Sequence, residues 1–199
     1  MDYHTFLRSR RSIRRFAGTP VSRTVLERII ETATYAPSAH NRQPWRFAAL
    51  TDAPSKSQLA EGMALAFRRD LAADSLSPAE IERLIEKSRS RILTAPAVIV
   101  LCMDMSEMDA YPDSRRQNAE RTMALQSTSL AGLQLLLAAH AEGLGAVWNC
   151  APLFAPVPVV EALGLPQTWE PQAMLLRGFP AETPTARARK PVQEIAIIR

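Results

Sequence analysis

Between residues 25 and 33 apolar side chains recur at helical intervals. Val25, Leu26, Ile29, Ile30 and Ala33 fall on one face, with Ser22 placed to cap the start and Pro37 to end the run. "WRFAALT" (45–51) follows as a short apolar and aromatic run of strand length. Ser55 with Gln58 forms a capping signature that predicts a helix from near 56. Ser77-Pro78 with Glu80 predicts another from near 78, with proline at the first helical position. Ile81, Leu84, Ile85 and Ile92 share one face of that second helix. "APAVIVLC" (95–102) reads as a buried strand. Residues 114–142 carry the longest helical pattern, and its middle, "SLAGLQLLLAA", is apolar nearly all round. Such a helix is central to a core or to an oligomer interface.

Gly143 is placed to end that helix. "GAVWNC" (145–150) then reads as a strand, "VPVVEAL" as a helix stopped by Gly164, and "QAMLLRG" (172–178) as a strand; residues 2–9 form a short opening helix. The tail "ARARKPVQEIAIIR" ends in an apolar run that needs something to pair with. Strands are scattered between helices rather than alternating with them, so the pattern predicts α+β, with one domain over 1–199.

Composition narrows the function classes. With 47% apolar and 22% charged residues in 199, the chain can bury a substantial core. A net charge of +4 is too mild an excess to call for nucleic acid as a partner. No apolar stretch approaches about 18 residues, so neither a membrane span nor a signal peptide is expected, and a cytoplasmic protein is. Cys102 and Cys150 sit in apolar runs and read as small buried hydrophobes, not as a disulfide framework or zinc site. His4, His40 and His140 lie too far apart to suggest a metal.

Charge is nonetheless concentrated. "RRSIRRF" (10–16) packs four arginines around Ser12. A targeting tail fails as an explanation because no apolar region follows. A nucleic-acid arm fits poorly because Ile13 and Phe16 alternate with the charges, as in a packed segment. Guanidinium forks, a hydroxyl and backbone N–H groups together suit a phosphate monoester; on this segment alone, a solvated surface run competes with that cradle. A second cluster, "APSAHNRQPWRF" (36–47), places Ser38, His40, Asn41 and Gln43 between Pro37 and Pro44. Two prolines stiffen the loop, and short amide and hydroxyl groups suit a ring with carbonyl and N–H edges. A third, "RARKP" (187–191), brings Arg187, Arg189 and Lys190.

These motifs, with "GLGAVW", occur in the order and at roughly the spacing of the nitroreductase family, which the chain resembles along nearly its whole length. The resemblance implies a homodimeric flavoprotein holding FMN between subunits. Its fold would be an antiparallel sheet surrounded by helices, with a C-terminal strand donated to the partner. By position, Arg10, Arg11, Ser12 and Arg14 resemble residues that hold the FMN phosphate and ribityl chain, and Arg187 and Arg189 resemble C-terminal residues reaching the same phosphate. Pro37, Ser38, Ala39, His40, Asn41 and Gln43 resemble the partner's loop along the flavin, with Asn41 or Gln43 as ring-edge partners. Gly143 to Gly145 resembles the turn passing the ring. Arg15 is expected to face solvent.

A narrower resemblance covers the middle of the chain. "SPAEIERLIEKSRSRIL", "APAVIVLCMD" and "YPDSRRQNAERTMALQS" look like the C-terminal flavin domain of the bifunctional protein that completes the deazaflavin coenzyme. The glutamate-ligating domain preceding it there is missing from this sequence, so no ligase activity is implied. An anionic deazaflavin precursor would call for basic residues outside the cradle; Arg68 and Arg69, and Arg115 and Arg116 at a helix N-terminus, are the candidates. The implied activity passes electrons from NAD(P)H or another reductant to a small organic acceptor. It needs no catalytic side-chain acid or base, because the flavin carries the chemistry. The competing readings are a non-catalytic flavin or deazaflavin binding protein on the same scaffold, and a generic nitroaromatic or quinone reductase.

Overall fold

The computed structural model describes residues 2–199. Its frame is an antiparallel sheet of β1 (Trp45–Leu50), β2 (Ala97–Asp104), β3 (Gly145–Asn149) and β4 (Trp169–Gly178), in the order β1-β2-β4-β3. The two inner strands have helices over both faces. That is why β2 is buried at every position and reads in the sequence as an unbroken apolar run.

Around the sheet lie α1 (Tyr3–Ser9), α2 (Arg23–Ala33), α3 (Ala53–Ala73), α4 (Pro78–Thr94), α5 (Ser114–Ala141), α6 (Pro156–Leu163) and α7 (Val192–Ile195). Alternation along the strands divides the core. Ala97, Ile99, Leu101 and Leu175 pack with Leu26 and Ile29 of α2 and Ala131 and Leu135 of α5. Val98, Val100, Met174 and Leu176 point the other way, against Leu59 and Met63 of α3 and Val159 of α6.

The caps explain the helix boundaries. Ser22 Oγ accepts from the Val25 N–H at 3.3 Å, starting α2 as its sequence predicts. At α4 the Ser77 and Glu80 side chains take each other's backbone N–H groups in a complete capping box. The expected start of α3 near 56 is corrected to Ala53. Asp52 is the cap, accepting the Ser55 N–H at 2.8 Å, and Pro54 sits in the first turn, where its missing donor costs nothing. Gly143 (φ 72°) and Gly164 (φ 59°) adopt the left-handed conformation that ends α5 and α6.

One further expectation changes. Cys102 is buried, and burial pushes its thiol up to about 12. Cys150 is exposed, because the chain leaves the sheet one residue earlier, and its sulfur accepts from Trp148 Nε1 at 3.0 Å. The tail forms one helical turn, Val192–Ile195, and then runs extended. Among the described residues it joins no strand, leaving Ile197 and Ile198 more than 80% exposed. The apolar girth of α5 is likewise only half used: Leu125, Leu130 and Leu133 remain exposed. Among the described residues no helix is long and apolar enough to cross a membrane.

Candidate functional site

β3 is an edge strand, and the arginine-rich segment covers it. Ser12 bridges Ala146 in parallel, the Ile13 N–H donates to the Ala146 carbonyl at 3.0 Å, and Phe16 bridges Pro180. The Glu182 carboxylate accepts the backbone N–H groups of Arg14 (2.6 Å) and Arg15 (3.1 Å), which hold its pKa below the usual glutamate value. Gly145 makes this docking possible. A Cβ there would lie 2.7 Å from Ile13 Cβ and 2.8 Å from both of its γ carbons. Segments from the two ends of the chain are thereby stitched along one edge of the sheet.

A cleft of about 270 Å³ opens at that junction, lined by Ser9, Arg10 and Arg11, by Leu136 and His140 of α5, by Gly143 to Ala146, and by Pro180 and Glu182 to Pro184. Arg10 is half-buried in it; burial first, then the charges of Arg11 and Arg189, lower its pKa. The charge of Arg189, from the far end of the sequence, thus acts on Arg10, although neither Arg187 nor Arg189 lines the cleft. Arg28, Arg42, Arg68 and Arg121 are each paired with a carboxylate. Among the described residues Arg10, Arg11, Arg14, Arg187 and Arg189 form no such pair. Arg11 Nη1 turns back onto the carbonyls of Arg8 and Arg10, Arg14 and Arg15 are exposed, and Ser12 is half-buried.

The site has members that the sequence did not announce. His140 Nε2 lies 2.7 Å from Ser9 Oγ, and its ring stacks on Phe6 at 5.0 Å. The Ser9 hydroxyl also lies 2.8 Å from the Phe6 carbonyl, so the imidazole tautomer decides which partner donates in the Ser9–His140 bond. Burial, followed by the charges of Arg10 and Arg11, holds the imidazole pKa below 6.5.

The loop from Pro37 to Gln43 is built apart from this cleft, and none of its residues lines it. A 3₁₀ turn, Ala39–Asn41, carries positive φ at His40 (49°) and Asn41 (56°), with Gln43 also at 49°. Non-glycine residues adopt this region at a cost, and such strain tends to sit at working sites. Ser38 Oγ accepts the Gln43 N–H at 3.1 Å, Ser127 Oγ of α5 accepts the Ala39 N–H at 3.2 Å, and Arg42 pairs with Asp109. His40, Asn41 and Gln43 stay exposed.

At the start of α5, Arg116 is occupied. It pairs with the capping Asp113, which already takes the Arg116 N–H at 3.0 Å, and lies over the Tyr111 ring. Arg115 is exposed. Arg68 and Arg69 pair with Glu82 and Asp70.

The cleft suits a phosphorylated ligand in charge and donors. Its volume lies just under the range of roughly 300–1,000 Å³ usual for small-molecule sites.

Known proteins place this architecture. The chain is 30% identical over 224 residues to a protein of Thermus thermophilus named NADH dehydrogenase, with 100% of this chain and 97% of the relative covered. It is 27% identical to YfhC of Bacillus subtilis over 188 residues, covering 94% and 89%. A crystal structure from Desulfovibrio desulfuricans, containing FMN, superposes with a TM-score of 0.74 at 26% identity, covering 98% of this chain and 95% of that one. A BluB-like flavoprotein from Clostridium difficile shares the fold, with a TM-score of 0.83 at 22% identity over 100% and 99% of the two chains. The family model described as "Nitroreductase family" matches residues 7–179, and the chain belongs to that family.

Proposed function

We propose that this protein is an FMN-dependent oxidoreductase that works as a homodimer, taking electrons from NAD(P)H and passing them to a small organic acceptor. The observation that carries this is a cleft lined by Arg10 and Arg11, neither paired with a carboxylate among the described residues, with the charge of Arg189 acting on Arg10 from the other end of the chain. Arg10, Arg11 and Ser12, with Arg14, Arg187 and Arg189, would hold the phosphate and ribityl chain, and the turn at Gly145 would face the ring. Charge-assisted contacts of this kind are individually worth about 1.5–3 kcal/mol. FMN, when bound, supplies the hydride acceptor and donor that no side chain here can. The protein's own work is to anchor the phosphate, keep water from the buried side of the ring and leave the other face open.

The loop 37–43 fits a second copy of the chain better than its own. It is strained, exposed and remote from its own cleft, and the exposed leucines of α5 and isoleucines of the tail provide apolar surface for association. We assign Pro37, Ser38, Ala39, His40, Asn41 and Gln43 to the partner's cleft, and the tail to exchange between protomers. A deazaflavin precursor is the finer proposal for the acceptor. Arg116 is committed to Asp113, so Arg115 is the cation at that end of α5 left for an anionic group.

The test is anaerobic. Mixed with NADH or NADPH, the yellow protein should bleach, and quinones, nitroaromatics or a deazaflavin precursor should restore the colour at rates that rank the acceptors. Protein that binds FMN but is never bleached would be a flavin carrier, and the oxidoreductase reading would fall.

A further inference from the structure

Among the described residues Arg177 is the large buried side chain whose polar atoms all lack a partner. It lies on β4 between Leu176 and Gly178 and is fully buried, and its Nε, Nη1 and Nη2 all lack hydrogen-bond partners among the described residues. Burial lowers its pKa to about 9, so it remains a cation at neutral pH. A guanidinium carries five N–H donors, and a desolvated, unpaired charge is among the most destabilising features a core can hold.

Its position gives the charge an addressee. Across the ladder Arg177 pairs with Ala97 on β2 and Ala146 on β3. Ala146 forms part of the cleft wall, as does Gly145, which pairs with the next residue, Gly178. One strand spacing, about 5 Å between Cα atoms, separates the Arg177 backbone from that wall. The nearest acid in the wall, Glu182, is committed to the N–H groups of Arg14 and Arg15.

We propose that Arg177 is a buried counter-charge for the reduced cofactor, favouring the electron-rich flavin over the oxidised one and so raising its midpoint potential. This rests on the FMN reading above. A hydride is two electrons and one proton, so a neutral ring reduced by one would carry one extra negative charge. A fixed cation behind the wall stabilises that charge and gives the neutral oxidised ring little. With an effective dielectric constant near 20, a unit charge about 10 Å from the ring would make that preference roughly tenfold in affinity. For a two-electron couple that is about 30 mV. A charge held for function rather than for the fold also makes a second signature: its removal should relieve the core, as replacing buried ions by apolar groups often does.

The experiment uses the FMN-loaded protein and its Arg177→Met variant, with Arg177→Gln as a second neutral replacement. Three quantities are read: midpoint potential by anaerobic dye equilibration, affinity for oxidised FMN, and melting temperature of the flavin-free protein. The expected result is a potential lower by about 30 mV, unchanged affinity for oxidised FMN, and a higher melting temperature in Arg177→Met. An unmoved potential with wild-type FMN affinity overturns this proposal alone. So does equal weakening of both redox forms, which would make Arg177 a phosphate counter-charge, or failure of both variants to fold, which would make it a structural residue. Wild-type protein without FMN affinity removes the cofactor reading and this proposal together.

Discussion

Gly145→Ala would place a methyl group where the arginine segment docks on the sheet. The new Cβ would meet Ile13 Cβ at 2.7 Å and its γ carbons at 2.8 Å. None of these atoms is the free end of a flexible side chain, and Ile13 is buried with its N–H fixed to the Ala146 carbonyl. Relief therefore requires the backbone of residues 12–14 to move away from β3. Overpacking of this kind costs about 1–3 kcal/mol. In a chain of this size each kcal/mol lowers the melting temperature by about 2–4 °C, so a fall of roughly 2–12 °C is expected. Arg10 and Arg11 immediately precede the displaced segment, so FMN affinity should fall with stability. Scanning calorimetry and fluorescence titration of the flavin read the two effects. Ile13→Ala removes two of the three close atoms, and combined with Gly145→Ala it should lose less than the sum of the single losses. Wild-type melting and FMN affinity in Gly145→Ala would refute the docking geometry.

Other perturbations address the remaining parts. Arg189→Ala should weaken FMN roughly 10- to 150-fold by removing one charge-assisted contact, whereas Arg15→Ala should leave affinity unchanged; equal effects in a flavin titration would mean the cradle is assigned to the wrong arginines. Truncation after Pro191 removes Val192, Ile195, Ile197 and Ile198, all more than half exposed in one chain, and light scattering should show a weakened dimer together with poorer flavin retention. An unchanged dimer holding FMN as before would leave the tail without the proposed role. The depressed pKa of His140 means the unfolded chain takes up its proton first, so this group's contribution to stability is present above pH 6.5 and lost as pH falls through the folded value. The melting temperature of the flavin-free protein should accordingly drop more on acidification in wild type than in His140→Gln; parallel drops would contradict this environment for the imidazole.

The elements that could be read in the sequence are those whose signals are local. β2 is an unbroken apolar run because both of its faces are covered, and α2 and α4 carry their own caps. α3 was misplaced because two capping signals lie three residues apart, and the one with a carboxylate and a following proline prevails. The arginine clusters were visible as composition, and their convergence rests on family resemblance. Ser9, His140 and Glu182 could not be found that way. The serine and histidine meet across 131 positions and Glu182 reaches Arg14 across 168, contacts with no periodicity or motif to announce them. Arg177 was hidden for a different reason. A single arginine near a strand end normally reaches to solvent, and only the fold reveals that this one does not.

The central claim is that the cleft recognises FMN through its phosphate, using arginines from both ends of the chain. The direct measurement is the dissociation constant of the flavin-free protein for FMN against that for riboflavin, which has the same ring and ribityl chain and no phosphate. Two charge-assisted contacts put FMN ahead by at least roughly 100-fold. Equal affinity for the two flavins would contradict the account, because the arginines would then not hold the cofactor.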